Sequence, residues 1–346
     1  MKVVVSNQIF PETRALLAGH AELDVNEAVE PWPWPEVQRR CRDAAALLAF
    51  MTDRLDHDFF AACPQLRVVG AALKGCDNID VAAAERAGVW VTIVPELLTV
   101  PTAELAIGLM LAAGRRIVAG DRRIRAGGFA GWRPALYGLG LADATVGIVG
   151  FGKVGRAIAE RLAHFRCRLL AFDMWPTDPP GALAPLVTVA GLESLLERSD
   201  YVILALPLTP ATLHIVDRTA IARMKPGALL INTARGSLVD EAAVADAIET
   251  GRLSGYAADV FECEDWARPD RPALIEPRLV APDAPTVLTP HLGSAVESVR
   301  RKIEIAAARS IIDALAGREP SGAVNRPLPR YAHAQLGPCQ HLPDRP

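Results

Sequence analysis

Lysine is nearly absent from this chain. Only Lys2, Lys74, Lys153, Lys225 and Lys302 occur among its 37 basic residues, and arginine supplies the rest. Acidic residues number 40, which leaves a formal net charge of −3. No basic run offers a footprint for nucleic acid, and the mild negative balance argues against a polyanionic partner. Cysteine is sparse too: Cys41, Cys63, Cys76, Cys167, Cys263 and Cys339 form no C-x-x-C pair and no Cys/His ligand spacing. Zinc-ribbon and thioredoxin-like motifs are therefore excluded, and no metal is expected. Long apolar runs are also missing. The longest, Leu105 to Gly114, is too short to span a bilayer and is bracketed by Glu104 and Arg115. With no leader pattern before Val3-Val4-Val5, the thiols are expected to be reduced, the protein cytoplasmic, and membranes no partner.

What is present fits a globular chain of about two domains: 346 residues, 51% hydrophobic and 22% charged. Val146 to Val149 reads as a short buried strand, and Gly150, Gly152 and Gly155 follow with the spacing G-x-G-x-x-G. Val154, Ile158 and Leu162 then share one helical face. In this pattern the first glycine turns the chain tightly and the second lets backbone approach a pyrophosphate. The third lets helix pack close to strand. The helix N-terminus supplies free N–H groups and partial positive charge to the phosphates. A second strand, Leu169 to Phe172, ends at Asp173, 23 positions after Gly150. A carboxylate there accepts from a ribose 2′-hydroxyl and repels a 2′-phosphate, and the next residue is Met174 rather than an arginine. The cofactor is read as NAD.

The fingerprint lies mid-chain. Before it, Lys2–Ser6, Ala46–Phe50, Leu66–Ala71 and Val89–Ile93 read as strands, with helices near Pro11–Ala18 and Glu36–Arg42. A long helix is expected from Pro101, capped by Thr99, to about Arg125. Strands recur at Tyr201–Ala205, Ala228–Asn232, Gly255–Val260 and Thr286–Thr289, and a last helix at Ala295–Leu315 has room to cross back. The pattern implies one α/β domain inserted into another: 1–98 with 295–326, and 99–294 between them. The proline-rich end from Pro327 is expected to be a mobile tail.

Ligands of open α/β sheets sit beyond the carboxyl ends of the strands. Arg235, Glu264 and His291 all fall just past such ends. A dehydrogenase acting on an anion needs a cation, a proton acceptor and a carboxylate to orient that acceptor, and these three supply those types. Taken singly, each has a bland role open to it: a structural ion pair, a solvated loop acid, a hydrogen-bonded turn histidine.

Over residues 1 to 326 the sequence resembles the D-isomer-specific 2-hydroxyacid dehydrogenases. The resemblance is carried by Asp77-Asn78-Ile79-Asp80, Pro101-Thr102-Ala103-Glu104, the glycine loop, Asn232-Thr233-Ala234-Arg235-Gly236, Ala258-Asp259-Val260-Phe261 and Thr289-Pro290-His291-Leu292-Gly293. It implies two Rossmann-like doubly wound domains, the nucleotide-binding one inserted into a flavodoxin-like substrate domain, and a homodimer. It also implies that Arg235 holds the substrate anion, His291 is the acid/base and Glu264 is its partner. The implied cofactor contacts are Thr102, Gly150, Gly152, Lys153, Val154, Gly155 and Asp173. Leu206, Pro207, Thr233, Ala234, Arg235, Asp259, His291 and Gly293 complete them.

Two departures stand out. Lys74 occupies a position before Gly75-Cys76-Asp77-Asn78 where the family usually has a small or apolar residue, and Asp265-Trp266 follows Glu264 where proline is usual. Both resemble the phosphite-oxidising members of the family, which implies substrate contacts from Lys74, Gly75, Met51, Leu98, Trp132, Tyr137, Trp266, Ser294 and Arg300. Phosphite is a compact dianion with no carbon skeleton, so it needs concentrated positive charge. A unit-charge pair at about 4 Å is worth about 4 kcal/mol at an effective dielectric of about 20, before desolvation reduces it. Phosphite oxidation is therefore the expected activity. The alternatives are a D-2-hydroxyacid dehydrogenase acting on a small carbon acid and an NAD-sensing corepressor or scaffold. Either His291 or Arg300 could take the water proton.

Overall fold

The computed structural model describes residues 1–327 except 176, 177 and 267. The expected tail beyond residue 327 lies outside the described residues. The chain divides into two units, Met1–Leu97 with the segment from Arg300, and Leu98–Val299.

In the first unit β1 (Lys2–Val5), α1 (Pro11–Ala18), β2 (Glu22–Val25), α2 (Trp34–Cys41), β3 (Ala46–Ala49), α3 (His57–Ala62), β4 (Val68–Ala71), α4 (Val81–Arg86) and β5 (Trp90–Thr92) alternate. The strands are parallel in the order β2-β1-β3-β4-β5, which is the flavodoxin-like order. β3 and β4 are buried at every position, so they read as unbroken apolar runs rather than alternating ones. β2 lies at the edge and none of its residues is fully buried, which is why Glu22-Leu23-Asp24-Val25 carries no strand signal. Asp56 and Asp80 accept the N–H groups of Phe59 and Ala83 and so start α3 and α4.

The second unit runs α5 (Thr99–Gly114), α6 (Ile117–Arg125), β6 (Thr145–Val149), α7 (Lys153–Leu162), β7 (Arg168–Phe172), β8 (Val187–Val189), α8 (Leu192–Arg198), β9 (Tyr201–Leu204), α9 (Arg218–Arg223), β10 (Ala228–Asn232), α10 (Glu241–Glu249), β11 (Leu253–Ala258) and β12 (Thr286–Leu288). Its sheet is parallel throughout, ordered β12-β11-β10-β9-β6-β7-β8. Both faces are covered. Val149, Val202, Leu204, Leu230 and Tyr256 pack on one side, and Val146, Ile148, Ile203, Leu229 and Ile231 on the other. Last comes α11 (Glu297–Leu315), whose body from Arg300 lies in the first unit. Gly70 admits it: a Cβ there would meet the Ile311 side chain at 2.6 Å and the Ala307 carbonyl at 2.9 Å. Asn325 then ties the returning chain to β5, accepting the Val91 N–H at 2.8 Å.

The expected helix from Pro101 to Arg125 is two helices. Leu98, not Thr99, is the N-cap of α5, and Arg116 in the left-handed region (φ 52°) separates α5 from α6. The Gly114 carbonyl, which a continuous helix would offer four residues on, instead accepts the Leu139 N–H at 2.8 Å. Gly114 also lies so close to Tyr201 that a Cβ would collide with the phenol. From 121 to 138 every residue is exposed.

At the carboxyl ends of β1 and β3 a buried carboxylate ties three segments. Asp53 Oδ2 accepts from Ser6 Oγ at 2.5 Å and Phe50 N at 2.7 Å, and Asn78 Nδ2 donates to the Asp53 carbonyl at 2.7 Å. Burial pushes the Asp53 carboxyl up to about 6 from 3.8. The folded chain thus holds a proton that the unfolded chain releases. The stability this group contributes is full below about pH 3.8 and is lost as pH rises through about 6. Asp53→Asn keeps an acceptor and removes the titration. Its stability relative to wild type, read from urea midpoints, should rise between about pH 4 and about pH 6.5. A constant difference across that window contradicts the assignment.

Candidate active site

The glycine loop joins β6 to α7, and β6 and β9 are where the strand order reverses. Gly150 sits at φ 102°, and a Cβ on it would strike the Ala205 carbonyl at 2.6 Å, so the turn requires glycine. A Cβ on Gly155 would collide with the Gly150 carbonyl, whereas Gly152 has open space around it. Backbone is thus bare at the second glycine and tightly packed at the other two. Phe151 turns into the core beneath. Lys153 and Val154 begin α7, with Lys153 exposed and Val154 packed on the core.

Asp173 Oδ2 accepts the Phe151 N–H at 2.6 Å, which ties the end of β7 to the loop, and Oδ1 accepts the Trp175 N–H at 3.0 Å. Beside it is a pocket of about 290 Å³ lined by Phe151, Phe172, Asp173, Val189 and Gly191 among others. A dinucleotide fits these groups: an open glycine for phosphate, a carboxylate for the ribose and an apolar slot for a base. Thr233, at the end of β10, adds a buried hydroxyl without a hydrogen-bond partner. Leu206 is buried in the core on the other face of the sheet, Pro207 is exposed beside it, and the Ala234 N–H is held by Asn232 Oδ1.

Glu264 and His291 meet within the second unit, and the loop that carries Arg235 abuts the loop that carries Glu264. Arg235 follows β10 and donates from Nη1 to the Ala234 carbonyl at 2.8 Å. Glu264 closes a short turn after β11, where its Oε1 accepts the Phe261 N–H at 2.8 Å. His291 stands after β12 in the left-handed region at φ 55°. Its Nδ1–H donates to Glu264 Oε2 at 2.8 Å, an assignment that follows because an ionised carboxylate can only accept. That tautomer leaves the lone pair on Nε2.

The strained histidine is pinned by Asp259. The Asp259 carbonyl accepts the His291 N–H at 2.8 Å, and its carboxylate accepts from Thr289 Oγ1, Leu292 N and Gly293 N at 2.6, 2.6 and 2.8 Å. Thr102 Oγ1 donates to the Leu98 carbonyl at 2.7 Å and lies 3.4 Å from that of Gly293. Burial pushes the Asp259 carboxyl up, and the hydrogen bonds partly offset this. Ser294 is half-buried beyond Gly293.

The remaining substrate candidates divide between the units. Lys74, Gly75, Met51 and Arg300 belong to the first. Lys74 Nζ donates to the Pro95 carbonyl at 3.0 Å, and Met51 packs on the core of that unit. Arg300 Nη1 donates to the Ala72 carbonyl at 3.3 Å, with its guanidinium 5.7 Å from the Phe50 ring centre. Burial pushes its guanidinium below the ordinary value. In the second unit Leu98 is buried at the start of α5, and Trp266 is half-buried with Arg271 4.2 Å over its ring. Trp132 and Tyr137, expected to wall off solvent, are 77% and 74% exposed, in a segment where every residue from 121 to 138 is exposed. The Asp259 hub was not anticipated as structure; its one sequence sign was an acid directly after β11.

Asp173→Ala should raise the KM for NAD about tenfold and reduce the preference for NAD over NADP. Specificity constants for the two cofactors measure this, and an unchanged ratio contradicts it.

A family model for the NAD binding domain of D-isomer specific 2-hydroxyacid dehydrogenases matches residues 107–293. A glyoxylate reductase of Thermofilum pendens is 36% identical over 331 residues, covering 94% of each chain. A crystal structure of a Thermus thermophilus protein is similar at TM-score 0.83 and 33% identity, covering 94% of this chain and all of that one. A glyoxylate reductase structure from Paecilomyes thermophila follows at TM-score 0.80 and 25% identity, over 94% and 98% of the two chains. Other similar archaeal proteins carry the glyoxylate reductase name as well. These names fit the expected alternative, a dehydrogenase of small carbon acids, better than they fit phosphite oxidation. With a glycine loop and an aspartate that fit NAD, and a histidine–carboxylate pair at the strand ends, the chain belongs to the D-isomer specific 2-hydroxyacid dehydrogenase family and is an NAD-dependent oxidoreductase.

Proposed function

We propose that this oxidoreductase oxidises phosphite to phosphate. Bound NAD⁺ supplies the two-electron acceptor: the P–H bond breaks with its electron pair, water forms a new P–O bond, and phosphite, water and NAD⁺ become phosphate, NADH and a proton. His291 takes that proton at Nε2, because its Nδ1 is committed to Glu264. Arg300 is left as a cation, since a guanidinium does not release its proton in proteins. Arg235 and Lys74 hold the dianion and the charge that develops on its oxygens. The His291–Glu264 bond carries the assignment of acid/base chemistry. Lys74, one of five lysines in this chain and one of the two departures from the resemblance, carries the choice of phosphite.

A second reading rests on the names of the relatives: reduction of glyoxylate or a similar small 2-oxo acid, and the reverse oxidation of the 2-hydroxy acid. Arg235 would then hold the carboxylate, and His291 would exchange its proton with the substrate oxygen. NADH formation with phosphite, set against glycolate, D-glycerate and D-lactate, and NADH consumption with glyoxylate, separate the two. Turnover confined to the carbon acids overturns phosphite. Lys74→Ala should raise the KM for phosphite about tenfold. Glu264→Gln should lower kcat by about a hundredfold or more, because the acid/base loses its orientation.

The expected homodimer belongs to the same proposal. Ile117, Ile124, Phe129, Trp132 and Tyr137 put large exposed apolar side chains along α6 and the segment after it, a surface a second copy would cover. Light scattering should return twice the mass of one chain, and a monomer at all concentrations overturns this part.

A further inference from the structure

Two of the strand-end loops in the second unit are joined directly. One holds Arg235 after β10, the other holds Glu264 after β11. Gly236 is the first junction. A Cβ on it would drive into the backbone of Phe261 and Glu262, so the two chains touch with no side chain between them. Asp265 is the second. It is 3% exposed, and its Oδ2 accepts the Ser237 N–H at 2.6 Å, reaching from the residue after Glu264 to the second residue after Arg235.

Arg268 closes the frame. Its Nη1 donates to Ser237 Oγ at 2.8 Å and to Glu262 Oε1 at 3.1 Å, and its backbone N–H donates to the Asp265 carbonyl at 2.9 Å. The far side is held too. Glu262 Oε1 pairs with His214 Nε2 at 2.7 Å, and the His214 N–H donates to the Ser237 carbonyl at 2.9 Å. Ser237 is therefore gripped at its N–H, its carbonyl and its hydroxyl. Of those three grips, only the one from Asp265 originates next to the residue that orients the acid/base.

We propose that Asp265 is a positioning residue that sets Arg235 in register with the His291–Glu264 pair. Its hydrogen bond fixes the backbone immediately after Arg235 to the turn that bears Glu264. The guanidinium that holds the anion and the imidazole that moves the proton then keep one spacing. A buried N–H that loses its charged acceptor is left unsatisfied, and the loop shifts to find another partner. A shift of that loop displaces the anion, whereas the nucleotide loop after β6 is a separate segment and keeps its place.

This inference rests on the assignment of Arg235 as the anion-holding group. Asp265→Ala is compared with Asp265→Asn, which keeps an acceptor oxygen of the same reach, and with Arg235→Ala. The acid used is phosphite or glyoxylate, whichever is turned over. Asp265→Ala should raise its KM about tenfold or more, leave NADH binding by fluorescence unchanged, and speed amide exchange in residues 235–238. Asp265→Asn should recover most of the KM. The double variant Asp265→Ala/Arg235→Ala should be no worse in KM than Arg235→Ala alone, since both act through one group.

If Asp265→Ala does not fold, Asp265→Ser, polar but too short to reach the Ser237 N–H, takes its place. A wild-type KM in the truncated variant, a loss that asparagine does not recover, or an equal loss of NADH binding overturns the inference. A wild-type KM in Arg235→Ala overturns the underlying assignment instead, and is seen separately.

Discussion

The second unit's sheet is parallel throughout, and its central strands are covered on both faces. All carboxyl ends therefore point to one edge, where loops can carry polar groups together without burying them in the core. The glycine loop, Asp173, Thr233, Arg235, Glu264 and His291 lie at that edge for this reason, although they are spread over 142 positions from Gly150 to His291, counted inclusively. The strands contribute no chemistry. They bring distant strand ends to neighbouring positions a few ångströms apart.

Holding those ends still takes a second layer of bonds, made mainly by acids. Asp173 grips the glycine loop, Asp259 grips the strained His291 turn, and Asp265 grips the chain after Arg235. Each carboxylate accepts backbone N–H groups that would otherwise be left unpaired at the end of a strand. Rigid placement of this kind is what acid/base chemistry needs, because a proton acceptor works only within hydrogen-bond reach of its target. The first unit repeats the device with Asp53, which joins the loop after β1, the loop after β3 and the segment of Asn78.

Much of this was legible from residues alone. The buried strands announced themselves as apolar runs such as Ala228–Asn232, and the glycine spacing with Asp173 named the cofactor. What escaped was whatever lacks an apolar signature. β2, with Glu22 and Asp24, and β8 are edge strands whose exposed positions tolerate polar residues. The break between α5 and α6 escaped because its causes, Tyr201 and Leu139, are far along the chain from Gly114. Trp132 and Tyr137 were expected to shield a site, but aromatic residues in a surface segment look the same in sequence whether they face a cavity or water.

By itself the sequence determined the class of fold and the cofactor, and it singled out Arg235, Glu264 and His291 as candidates at the strand ends. These follow from local pattern: hydrophobic runs, glycine spacing and the residue types found at strand ends. Only the tertiary structure decided how those side chains are aimed. The Nδ1–H bond from His291 to Glu264 selects the ring nitrogen that can act as base, and the bond from Ser237 to Asp265 joins the arginine loop to that pair. Such bonds run between residues 27 and 28 positions apart, and no local pattern encodes a distance set by the packing of a sheet.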